Sequence, residues 1–162
     1  MTQGAVDSDT KYTTTNLESR FSIYIPIANR SVLAMRVGGA TRVGDFAFYH
    51  ANTLGGFNVR REQGNLRGHL RGRYAGRTSL YFNNDLRMKL FTFKTYLFPA
   101  HFGVLGFYDI GRVWVDDEKS SVWHHGYGGG IWIDPFAFTI FNLTYAVSKE
   151  EQLVTLTMGF QF

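Results

Sequence analysis

The chain has no cysteine, so disulfides, thiolate chemistry and cysteine-ligated metals are excluded. It has only 3 prolines in 162 residues. No segment approaches the ~18 consecutive apolar residues of a membrane-spanning helix. The opening stretch, MTQGAVDSDTKYTTTNLES, lacks a basic region followed by an apolar one, so it does not read as a signal peptide. Acids are scarce where bases are dense. Gly55–Arg77 holds six Arg (60, 61, 67, 71, 73 and 77) against the single acid Glu62. That stretch carries +5 of a net charge of +4, leaving the remainder at −1. The pI of 9.4 therefore describes one segment, not a basic surface suited to nucleic acid.

What the chain does have is aromatics, at 17%, and 18 glycines, which favour strands and turns over helices. Gly55–Arg77 shows no sustained period and reads as a loop, with the long connection running from 44 to 78. A loop this long is unusual in a compact domain. Arginine and glycine cannot bury a core of their own, so the segment either dangles or fills a polar cavity built by the rest of the chain.

Residues 1–18 are polar and Thr-rich and read as a loop. Strands are expected over Arg20–Ile27, Val32–Val43, Ser79–Phe91, His101–Trp114, Gly126–Ile133, Phe136–Val147 and Leu153–Phe162. Pro26 should sit at a strand end. In Ser79–Phe91, Leu80, Phe82, Leu86, Met88 and Leu90 share one face, while Tyr81, Asn83, Asp85, Arg87 and Lys89 share the other. In His101–Trp114, Phe102, Val104, Tyr108 and Ile110 oppose Leu105, Phe107, Asp109 and Gly111. At the end of the chain, Leu156, Met158, Phe160 and Phe162 fall on one stripe.

Turns at 28–31, 92–100 and 134–135 are short, and the loops at 44–78 and 115–125 are longer. Short turns on one side, long loops on the other and an apolar face opposite a polar one predict an antiparallel transmembrane β-barrel, of which this chain supplies about seven strands. The 115–125 and 148–152 connections would then be extracellular and the short turns periplasmic. A soluble lipocalin-like barrel acting as a binding module is the rival. It would bury the apolar faces and leave the Asn, Asp, Arg and Lys faces outside.

Three stretches carry a resemblance. Leu66-Arg67-Gly68-His69, after Leu54-Gly55-Gly56, resembles the (V/L/I)RG(F/Y) loop motif of the BamA/TamA-like outer-membrane proteins, the bacterial surface antigen family. Phe107-Tyr108-Asp109-Ile110-Gly111 resembles that family's FxDxG strand motif, and Asn84-Asp85-Leu86-Arg87 its N-x-E-L-R strand, with Asp85 in place of Glu. Phe160 and Phe162 resemble the terminal signal for barrel assembly. The resemblance covers residues 20–162. It departs at His69, where the family has Phe or Tyr, and Leu70-Arg71-Gly72-Arg73 competes for the motif role. The spacing to the next strand and the preceding Leu-Gly-Gly favour Arg67.

The resemblance implies that the loop folds back into the barrel and that Arg67 meets Asp109 and Asp85 on the lumen wall. It implies integral residence in a bacterial outer membrane, contact with outer-membrane lipid, and a role in inserting outer-membrane proteins or translocating secreted ones. Periplasmic or lipoprotein accessory partners would assist. The family barrel has about sixteen strands, so this chain is expected to be the C-terminal part of a longer protein. An alternative is a barrel that anchors or exports a fused N-terminal domain, such as a hydrolase.

No catalytic constellation stands out. His124-His125 reads as a pair of loop histidines rather than a metal site, since neighbours on a strand diverge and no acidic cluster accompanies them. Gly126–Gly130 lacks the GK[ST] and following helix of a phosphate loop, and in a strand leaves room for the folded-in segment. No cofactor, enzyme activity or nucleic-acid partner is expected.

Overall fold

The computed structural model describes residues 2–7, 10–45, 50–56, 65–94, 99–116, 121–135, 138–160 and 162. It is all-β, with no α-helix among the described residues. The strands are β1 (Thr2–Asp7), β2 (Thr10–Ala28), β3 (Ser31–Gly44), β4 (Asn52–Leu54), β5 (Tyr74–Gly76), β6 (Thr78–Lys94), β7 (Pro99–Trp114), β8 (His124–Pro135), β9 (Phe141–Ser148) and β10 (Gln152–Met158). Eight of them form one antiparallel sheet in the order β1-β2-β3-β6-β7-β8-β9-β10, while β4 and β5 pair separately. The sheet is not closed into a barrel: β1 and β10 are its two edges.

The seven expected strands are present with altered bounds. The reading of 1–18 as a loop is corrected, because β2 extends back to Thr10 and β1 pairs beside it. Lys11–Ser19 has no apolar alternation to betray a strand, yet Thr is β-branched and suits the pleat. Pairing with β3 decides the matter, running from Thr14 opposite Gly44 to Tyr24 opposite Ala34. Pro26 lies at the expected place, where the register shifts before the Ala28–Ser31 closure. The turn expected at Asp134–Pro135 comes later, since both residues still belong to β8. The expected start of the next strand at Phe136 lies outside the described residues, and β9 begins at Phe141. Parts of the expected connections, 46–49, 57–64, 95–98 and 117–120, also lie outside the described residues.

One face of the sheet is apolar and exposed. Phe21 is 64% exposed and Leu156 71%, and Ile23, Phe82, Leu86, Met88 and Ile131 stand out on the same face. On the other face Asn83, Asp85 and Asp109 are at most 1% exposed. That inner face is not uniformly polar, however. Leu105, Phe107, Trp132 and Ala146 form an apolar cluster on it, with Ile140 and Phe160 packed alongside.

Phe160 therefore does not continue the outward stripe of Leu156 and Met158. β10 ends at Met158, and Gly159 takes a φ of 80°, a left-handed conformation that reverses the phase of the residues after it. Its N–H donates to the Ile140 carbonyl at 2.7 Å, and its own carbonyl accepts from Asn142 Nδ2 at 2.6 Å. Phe160 then packs edge-on to Trp132, with ring centroids 5.7 Å apart. A Cβ at position 159 would meet nothing within 4 Å, so Gly159→Ala tests the backbone alone. It should destabilise the protein by about 1–2 kcal/mol through left-handed strain. Urea unfolding checks this, with loss of the Trp132–Phe160 near-ultraviolet circular dichroism as the local sign.

Candidate functional site: a buried arginine lock

β6 and β7 run side by side, with Asn83 opposite Asp109 and Asp85 opposite Phe107. The two-residue period of a strand brings Asp85 and Asp109 to the same inner face as diagonal neighbours. Two carboxylates buried this close need a cation.

The cation comes from the long segment, which is less irregular than its composition suggests. β4 and β5 zip its two ends together, and Gly56 bridges to Leu66, its N–H donating to the Leu66 carbonyl at 3.2 Å. Its arginines and glycines bury no core of their own, but Leu54 and Leu66 are fully buried and anchor it. Asn65 Oδ1 accepts from the Gly55 N–H at 2.9 Å, and Asn65 Nδ2 donates to the Thr53 carbonyl at 2.9 Å. Asn83 Nδ2, on the wall, donates to the Asn65 carbonyl at 3.0 Å. These bonds set down the backbone immediately before Arg67.

Arg67 then forks onto the wall. Nε donates to Asp109 Oδ2 at 2.7 Å and Nη2 to Asp109 Oδ1 at 2.7 Å. Nη2 also reaches Asp85 Oδ1 at 2.6 Å, and the Arg67 backbone N–H donates to Asp109 Oδ2 at 3.1 Å. The guanidinium carbon lies 3.7 Å from the Phe107 ring centre. Burial works against the Arg67 cation, but the charge and hydrogen bonds of Asp109, then those of Asp85, raise its pKa above the ordinary arginine range. Asp85 Oδ2 is taken by Arg87, with Nη2 at 2.9 Å and Nε at 3.3 Å. Two arginines and two aspartates thus make an electroneutral quartet, with the two acids and Arg87 buried and Arg67 nearly so.

Glycines make the seat. A Cβ at Gly126 would collide with the Arg67 carbonyl oxygen, and one at Gly128 would lie 2.8 Å from the Phe107 ring. At Gly111 it would come within 3.1 Å of Leu54 Cδ1. Gly68 has a φ of 83° and passes against the backbone of Val147 and Ser148.

His69 fills its place through polar contacts. It is 2% exposed, with Nε2 at 3.0 Å from the His125 carbonyl and Nδ1 at 3.2 Å from the Tyr74 hydroxyl. Tyr74 stacks on His124 at 3.5 Å between centroids. His124 and His125 are not loop residues but open β8. They diverge: His124 faces the loop, and His125 faces outward, where its Nδ1 meets the Tyr108 hydroxyl at 2.7 Å. The competing Leu70–Arg73 stretch lies at the rim, where Leu70, Arg71 and Gly72 are exposed and Arg73 pairs with Glu150.

The structure brings Leu66, Arg67, Gly68, His69, Asp85, Phe107, Asp109 and Gly111 together. Phe160 and Phe162 fold inward below them, Phe160 under Arg87 at 4.1 Å and Phe162 under Arg36 at 4.6 Å. Sequence reasoning placed Arg87 in a strand motif without a role of its own, and assigned no part to Asn65 or Asn83. The strand period already set Asn83 and Arg87 on the face of Asp85, but Asn65 carried no signal. No protein-family model, curated protein or solved structure matches the chain.

Removing one partner of a buried ion pair strands the other. Arg67→Ala should therefore cost about 3–5 kcal/mol, and Asp109→Ala a similar amount. The double variant should be little worse than either, because both report one interaction. Unfolding of all four proteins in urea checks this; additive losses would refute the lock. Gly126→Ala, which needs no change of backbone conformation, should loosen the loop by pushing on the Arg67 carbonyl. Limited proteolysis at Arg67 and Arg71 reads it, with faster cleavage at Arg67 expected in the variant alone.

Proposed function

We propose that this chain forms the C-terminal part of an outer-membrane β-barrel of the BamA-like surface antigen family, acting in the insertion of outer-membrane proteins or the passage of proteins across that membrane. The observation that carries it is the Arg67 lock on the polar side of a sheet whose other side is apolar and exposed. Lipid would cover the outward Phe, Ile, Leu and Met side chains, which water would not. β2, β3, β6, β7 and β8 have 19, 14, 17, 16 and 12 residues, more than the ~9–11 that cross a bilayer. The unpaired edges of β1 and β10 would be costly in lipid, so the proposal includes further strands that close the wall. The inward loop lines what would be the lumen, and the resemblance in three motifs points the same way. Phe160 and Phe162 remain the proposed assembly signal, read before the segment folds inward.

A second reading has the barrel anchoring or exporting a fused N-terminal domain. The pinned loop favours it too, since a sealed anchor needs an occluded lumen. The experiment uses the full-length protein. In intact cells, a single cysteine at Val122→Cys should react with an impermeant maleimide and one at Asn29→Cys should not; the reverse pattern would invert the topology. The purified protein should migrate as a heat-modifiable species. Reconstituted in vesicles, it should speed insertion of an unfolded outer-membrane substrate several-fold, and Arg67→Ala should abolish the gain. No gain, with an upstream domain held at the cell surface, would favour the anchor. Solubility without detergent would refute both.

A further inference from the structure

Asp85 is shared. One of its oxygens holds the loop through Arg67, and the other holds Arg87. Arg87 in turn has no role at the loop itself. Its Nη2 donates to the Phe162 main-chain oxygen at 2.7 Å, and its guanidinium lies over the Phe160 ring at 4.1 Å and the Phe162 ring at 5.2 Å. The inward segment after Gly159 is thus gripped by a side chain whose orientation is set by Asp85, and Asp85 is oriented by Arg67. Arg36 makes a parallel route, bonding Asn83 Oδ1 from Nη2 at 2.8 Å and from Nε at 3.0 Å, and lying over Phe162 at 4.6 Å. Asn83 in turn donates to the Asn65 carbonyl of the loop.

We propose that Asp85 and Arg87 couple the seating of the Arg67 loop to the inward placement of Phe160 and Phe162, so that the two release together. When Arg67 leaves, Asp85 keeps Arg87 as its only cation among the described residues and draws the guanidinium from both sides. Arg87 then loses its place over Phe160 and its bond to the Phe162 oxygen. With the grip gone, Gly159 can relax to extended backbone, and residues 160 and 162 recover the outward phase of Leu156 and Met158. The loop thereby governs how far β10 extends. Coupling of this kind is reciprocal: loosening the segment must loosen the loop by the same factor. Its functional meaning rests on the barrel reading, but the coupling itself does not.

Native-state hydrogen exchange on the full-length protein tests it through two amides, Arg67 N–H, bonded to Asp109, and Gly159 N–H, bonded to Ile140. In the unaltered protein both should exchange through one opening, with equal protection and equal response to added urea. The Met35 amide, on β3, reports global unfolding. Arg87→Gln should speed exchange at Arg67, and Arg67→Ala at Gly159, about tenfold more than the same variant speeds it at Met35, within the range of coupled sites. Distinct openings in the unaltered protein, an unmoved Gly159 in Arg67→Ala, or equal acceleration at Met35 would each overturn the coupling. The comparison of the two amides in the unaltered protein decides the matter even if a variant fails to fold. Solubility without detergent would refute the barrel reading and leave these amide comparisons valid.

Discussion

Two buried carboxylates on neighbouring strands set the terms for everything around them. Asp85 and Asp109 cannot both stay charged in a site from which water is excluded unless cations neutralise them. Arg67 does so with a fork that matches a carboxylate edge, which a lysine could not offer. The geometry is demanding. The loop must bring the guanidinium to within hydrogen-bond distance of both acids, and so Asn65, Asn83, Leu54 and Leu66 hold the backbone before it, while Gly126 vacates the space its carbonyl needs.

The same requirement explains the unusual partition of the sheet. A polar face supplies little hydrophobic stabilisation, and the inner face gathers Leu105, Phe107, Trp132 and Ala146 into an apolar cluster beside the polar lock. Phe107 serves both halves, as part of that patch and as the aromatic face against Arg67. The outward face carries most of the remaining large apolar side chains. In water this would be an aggregation hazard; in lipid it is the ordinary solvent-facing surface. The physical chemistry of the two faces, more than any single motif, ties the chain to a membrane in the proposed reading.

Some of this was legible residue by residue. The alternation in Ser79–Phe91 and His101–Trp114 sorted Asp85 and Asp109 to one face, and the structure has them there. The isolation of charge in Gly55–Arg77 marked the loop as a segment needing a polar receptor, and the motif singled out Arg67 as its contact. By contrast the Thr-rich start of β2 was illegible, since neither face of it is apolar and only pairing with β3 reveals a strand. His124 and His125 looked like loop residues because the Gly-rich start of β8 lacks the periodicity to claim them.

The sequence by itself determined the local choices: strands over helices, which side chains share a face, and where charge accumulates, because each depends on neighbours one to four positions away. Tertiary structure alone decided that Asp85 serves two arginines, that His69 is buried by bonding to Tyr74 and to the His125 carbonyl, and that Gly159 turns Phe160 and Phe162 inward. Those outcomes join residues up to 75 positions apart, as Arg87 and Phe162 are. Their energies come from desolvation and packing, which exist only once the sheet has folded round the loop.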